Sequence, residues 1–222
     1  MNPEITKACA DSLRAFTENN YGIQLKSSHA HELVSAFFGY SSRAALLADK
    51  KCPIGNLNDA EIIILNNPIP LVEQRLKTLK GLPSGLPSSD ILAESVYAPI
   101  ATNEQLSKKI WKDFHKMAIA YAEDRVFHNE KMITMMGIDG GFDQRELDWL
   151  IRVDIKTMEN DVLLTVTYDY PAKAKKPFRH ASVAVTLPKI AGGIGYSEPK
   201  VLPTFYGGHM SDPDYRLEHG IA

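Results

Sequence analysis

The 222-residue chain has room for one large domain or two small ones, and 44% hydrophobic with 23% charged residues is an ordinary globular balance. A net charge of -2 excludes a global basic footprint for nucleic acid, although a local basic patch is compatible with it. Two cysteines, Cys9 and Cys52, are too few for a disulfide framework and read as reduced thiols. The first residues carry an early acid and no apolar leader run, and the longest branched-aliphatic run is Ile62 to Leu65, so neither secretion nor a membrane span is expected and a cytoplasmic location is.

Asn2-Pro3-Glu4 is a helix start, with a cap residue, proline at the first helical position and an acid near the positive end. Ile5, Cys9, Ser12, Leu13 and Phe16 recur at helical spacing until Asn19-Asn20-Tyr21-Gly22 ends the element. Ser27 or Ser28 can cap a second helix with Ala30, Leu33, Val34 and Phe37 inward, and Gly39 stands where a left-handed residue is expected. Ser41 is expected to cap a third helix through Ala44, Ala45, Leu47 and Ala48, before Pro53 forbids continuation.

Glu61 to Leu65 reads as a short buried strand, and Pro70 to Lys80 as a helix with Val72, Leu76 and Leu79 inward. GLPSGLPSS, residues 81 to 89, has linker composition, and a domain boundary is placed there. Asp90 to Ala98 is expected to form a short helix stopped before Pro99. Thr102 and Gln105 have capping-box spacing at the head of a long periodic stretch through Leu106, Ile110, Phe114, Met117, Tyr121, Met132 and Met135, ended by Gly137. Asp143 and Glu146 are expected to cap a further helical turn.

Strand patterning begins after this turn. Ile151, Val153 and Ile155 alternate with charged residues, Met158 to Asp161 is a turn, Val162 to Tyr170 returns, and Ala181 to Leu187 alternates again. From Pro188 onward glycine and proline predict loop or extended chain. The fold class expected is therefore α+β: a mainly helical module over 1–87, with a helix-turn-helix-like hairpin, then 88–222 as a long helix packed on a three-stranded antiparallel meander with an extended tail.

Ser28-His29, Glu32-Leu33, Gly39-Tyr40 and Ala45-Leu46 together make Ser27 to Asp49 resemble a small helical module of bacterial proteins, some of them glyoxalase-related. NDAEIIIL and VEQRLKTLKGLP extend the resemblance over about the first 100 residues. The resemblance implies the module and no activity, because no pair of βαβββ units comes after it to carry metal-dependent glyoxalase chemistry.

Five candidate signals remain. If the hairpin read DNA, the helix after Ser41 would enter a groove with Ser42, Arg43, Lys50 and Lys51 near DNA; residues 1–60, however, hold six basic and six acidic side chains, and a helical hairpin that serves packing or protein interaction is the commoner explanation. Lys173, Lys175, Lys176 and Arg179, with Phe178 and His180, form a basic inter-strand loop that fits a phosphate backbone or a solvated edge guard. Asp124 and His128, four apart on a helix, could share a metal, with His115, Glu123, His209, Asp212 and His219 available as further ligands, or act as an acid–base pair, and with Tyr121, Tyr168 and Tyr170 they could line a pocket; a solvated surface pair on a polar helix segment is the commoner explanation. His29 and His31 are two apart and cannot both ligate one metal from a regular helix. AGGIGYS and GIDGGFDQRELD lack the flanking elements of a phosphate loop and the oxygen spacing of a calcium loop, so both read as turns.

No serine sits in a nucleophile elbow, and no cofactor or metal set is expected. The functional expectation is a non-enzymatic bacterial protein that binds a macromolecular partner, protein or DNA, with oligomerisation open. A ligand-binding protein or enzyme with a pocket between the long helix and the sheet is the alternative.

Overall fold

A computed structural model describes residues 3–65, 68–127, 150–170 and 179–204. The chain is mixed α+β and divides into two compact units, Met1–Asp113 with Pro188–Glu198, and Phe114–Leu187 with Pro199–Ala222. The division falls at 113/114 rather than near residue 87. Residues 81–88 instead join two helices of the first unit that touch each other, so a linker composition here marks a surface connection within one core.

In the first unit, α1 (Pro3–Tyr21) ends at Gly22, whose φ of +65° only glycine adopts cheaply. α2 (Ser27–Phe37) buries Ala30, Leu33, Val34 and Phe37, as its 3.6-residue period predicts; its cap position is Lys26, with no side-chain bond from either serine. α3 (Arg43–Ala48) is capped by Ser42, one residue later than expected, whose Oγ accepts the Ala45 amide at 3.1 Å. β1 (Ile62–Ile64) is wholly buried, and α4 (Ile69–Thr78) and α5 (Ser89–Ala101) come next.

Helix α5 runs straight through Pro99. A proline there leaves the Ser95 carbonyl without its intrahelical donor, and the hydroxyl of Ser12 on α1 donates to that oxygen at 2.6 Å. A neighbouring helix therefore repairs the ladder that the sequence breaks. α5 packs on α1, which packs on α2.

The predicted long helix is a second correction. Thr102 finishes α5, donating its hydroxyl to the Ala98 carbonyl, rather than capping a new helix. Asn103 instead accepts the amides of Gln105 and Leu106, a 3₁₀ turn covers Ser107–Lys109, and Ile110–Trp111 is a strand, β2, parallel to β1. Among the described residues of this stretch, the α-helix is Phe114–Phe127, α6. Leu106 is buried in the first unit, and Phe114 and Met117 belong to the second, so one apparent helical face serves two cores. The continuations through Met132, Met135, Gly137, Asp143 and Glu146 lie outside the described residues.

The second unit holds β3 (Leu150–Thr157), β4 (Asp161–Tyr170), the first part of β5 (Arg179–Ala191) and β7 (Lys200–Thr204), with β6 (Gly195–Tyr196) in the first unit. Neighbours run β3-β4-β5, and β7 joins β5 antiparallel from Ser182↔Thr204 to Thr186↔Lys200. The sheet is thus not a three-stranded meander: the proline- and glycine-rich tail supplies further strands. Val162, Leu164, Val166 and Tyr168 line its buried face, on which α6 packs. In the first unit β6 lies between β1 and the end of β5. Among the described residues no helix is long and apolar enough to cross a membrane.

Candidate functional site

The α2–α3 corner is held by several close backbone and side-chain contacts within the first unit. Gly39, at φ +86°, closes α2, with its own amide on the Ala36 carbonyl and that of Tyr40 on Ser35. Its backbone then lies directly against Gly193: a Cβ on Gly39 would fall 2.8 Å from the Gly193 Cα, and one on Gly192 would fall 2.5 Å from the Phe38 carbonyl oxygen. Two hydrogen bonds lock the contact, Gly193 N–H to Phe38 O and Gly192 N–H to Cys52 O, both 2.8 Å. The AGGIGYS stretch is therefore the wall against which the corner is built.

Side chains complete the clamp. Tyr40 is buried and donates its hydroxyl to Cys52 O at 2.7 Å, and burial, with the charge of Asp49, raises its pKa. Burial works against the Asp49 carboxylate, but the Cys52 and Lys51 amides, the Tyr40 hydroxyl and the Lys51 charge outweigh it and hold the pKa below its ordinary value. The Cys52 thiol donates to the Lys189 carbonyl. At the other end of α3, Glu32 Oε2 accepts the Arg43 amide at 3.1 Å and the Arg75 guanidinium at 2.6 Å, tying α2, α3 and α4 together. His31 is half-buried, and burial and the nearby Arg43 charge lower its pKa.

The outward face of this clamp is unexpected. α3 buries only Leu46; the adjacent Leu47 is 52% exposed. Arg43, Ala44, Leu47 and Ala48 share the outer face at i, i+3 and i+4 spacing, and Lys50 and Lys51 come next on the exposed side of the following turn. The acids nearby are engaged inside the corner, Glu32 by Arg75 and the helix start, Asp49 by the amides after the helix end. The result is a small apolar patch with a cationic rim.

The remaining predicted residues fall in the second unit or outside the described residues. Lys173, Lys175 and Lys176 lie outside the described residues, and Arg179 begins β5. Tyr121 is half-buried and Asp124 exposed on α6, whereas His128 lies outside the described residues. The acid that acts on a tyrosine here is Glu123: burial, with the Glu123 charge, raises the pKa of Tyr168. Two open grooves of about 500 Å³ occur in the first unit, one lined by Asp11, Arg14, Glu18 and Lys26, the other by Leu65, Asp90, Glu94 and Tyr97; neither includes Tyr121 or Asp124. Among the described residues no group of three or more histidine, cysteine, aspartate or glutamate side chains is placed to hold a metal ion.

No family model, curated protein or solved structure matches this chain.

The sequence pointed to Arg43, Lys50 and Lys51 but missed the residues that fix their presentation: Glu32, Tyr40, Asp49, Gly192 and Gly193. Their signal is the pairing of Gly39-Tyr40 with a distant Gly-Gly, which has meaning only once the two glycine segments are known to touch.

Proposed function

We propose that the first unit is a docking module whose contact surface is the outer face of α3, and that its partner is a protein with an apolar socket edged by acidic groups. The observation that carries the reading is Leu47, a large apolar side chain left in solvent on a six-residue helix that three other segments hold rigidly. An apolar centre with a charged rim on a pre-organised element is the anatomy of a protein contact. The segment resembling the small bacterial helical module is this same corner, and no catalytic role is carried over with it.

DNA reading fits the surface less well. Six helical residues span roughly 9 Å, and between Arg43 and Lys50 the outward positions are alanine and leucine, which offer no hydrogen bonds to base edges. The test is co-purification from the native host with wild type and Leu47→Asp. Because Leu47 is exposed, the variant should fold and melt as wild type does, yet lose a stoichiometric protein partner. Retention of all partners by Leu47→Asp, or salt-sensitive retention on duplex DNA that Arg43→Ala with Lys50→Ala abolishes, contradicts the proposal.

A further inference from the structure

The second unit carries a different surface, the outer edge of β3. Its sequence, Leu150-Ile151-Arg152-Val153-Asp154-Ile155-Lys156-Thr157, alternates strictly between apolar and charged residues from Ile151 to Lys156. All eight residues pair with β4, and among the described residues no strand pairs with the opposite edge. Ile151 and Ile155 face the same side of the sheet as their cross-strand partners Tyr168 and Leu164. Those partners are buried, yet Ile151 is 39% and Ile155 41% exposed. The apolar face thus continues past the buried residues onto an edge that no described strand pairs. Strands that are protected from pairing carry prolines, bulges or repeated charges of one sign; this one carries no proline and charges of alternating sign.

That alternation selects one occupant. Two copies joined antiparallel about a two-fold axis normal to the sheet must place residues of equal parity opposite one another. Centred on Asp154, the pairing sets Asp154 against itself and Arg152 against Lys156. Centred on Arg152, it sets two guanidinium groups together. Centred on Ile155, it carries Ile151 beyond the end of the partner strand. Centred on Val153, it places Ile151 opposite Ile155 and Arg152 opposite Asp154, each pair formed twice, so apolar and electrostatic matches coincide.

We propose that β3 is a homodimerisation edge, pairing with β3 of a second copy in the register centred on Val153, and continuing the sheet from one protomer into its partner.

The test uses the full chain. Sedimentation should show a concentration-dependent dimer. Arg152→Asp and Asp154→Arg should each weaken it about tenfold by placing like charges opposite one another, and the double exchange should restore it. Under mild oxidation Val153→Cys should give a covalent dimer, because the two Cα atoms that flank the axis lie within disulfide reach, whereas Asp154→Cys, displaced by two residues from its copy, should not. The proposal is overturned by a monomer at high concentration, including one that binds an extended peptide of another protein at this edge. It is equally overturned by single exchanges that leave the dimer unchanged, by a double exchange that fails to restore a folded dimer, or by Asp154→Cys cross-linking as readily as Val153→Cys.

Discussion

Replacing Gly39 by alanine measures how firmly the α2–α3 corner is held. Two penalties combine at this position. The backbone sits at φ +86°, where a Cβ costs about 1–2 kcal/mol. The new methyl would also stand 2.8 Å from the Gly193 Cα, so two backbone segments must part, and the Gly193 N–H to Phe38 O bond, 2.8 Å long, stretches or breaks. Losing a bond of that kind costs roughly 1–2 kcal/mol more. Gly22 is the internal control, with φ +65° but nothing within 4 Å of its would-be Cβ, so Gly22→Ala should show the conformational cost alone, about 1 kcal/mol. Urea unfolding followed by circular dichroism should place Gly39→Ala about 2–4 kcal/mol below wild type with an unchanged denaturant slope. Equal losses for the two variants would refute the claim that the corner rests on the Gly39–Gly193 contact.

Three further outcomes are expected from the same structure. Ser12→Ala should destabilise by about 1–3 kcal/mol because it orphans the Ser95 carbonyl beneath Pro99; in a Pro99→Ala background, where residue 99 regains its amide, urea titration should show a clearly smaller loss. Burial pushes the Cys9 thiol up to about 12, so at pH 8 alkylation read by peptide mass spectrometry should modify Cys52 first and reach Cys9 only on unfolding; rapid native labelling of Cys9 would contradict its burial. Burial and then the Arg43 charge, with a smaller push from Arg14 and against the pull of Asp11, hold the folded-state pKa of His31 below the ordinary 6.5. Its protonation therefore favours the unfolded chain: stability is complete above pH 6.5 and falls as pH drops through the window just below that value, and His31→Gln should flatten the melting temperature there.

Local punctuation made the first fifty residues legible. Pro3, Gly22, Gly39 and Pro53 each act through their own backbone, so the presence of α1 to α3 could be read without tertiary knowledge, whereas the caps of α2 and α3 fell on Lys26 and Ser42 rather than on the expected serines. The alternation of β3 and β4 was equally local. The features that failed depended on distant partners. Ile110–Trp111 has helical spacing with Leu106 and Phe114, but becomes a strand because Ile63 and Ile64 lie alongside it. Residues 188–204 look like loop, yet the Ile64 amide binds the Ile194 carbonyl and that of Glu61 binds the Tyr196 carbonyl, which draws the chain into the sheet. Pro99 ends a helix in isolation and does not end α5, because Ser12 supplies the missing donor. At the candidate surface the cationic residues were legible, whereas the orientation of α3 was not. Leu46 and Leu47 are adjacent, and a helix of fewer than two turns carries too little periodicity to say which of them turns inward.

The most direct measurement of the proposed contact is a photo-reactive amino acid placed at residue 47 in the native host, with the same group at the exposed Glu18 of α1 as reference. Position 47 should yield one discrete protein adduct, insensitive to nuclease, saturating with partner concentration and weakened by Arg43→Glu. Adducts from position 47 that match those from position 18, or that disappear on nuclease treatment, would contradict the proposed contact.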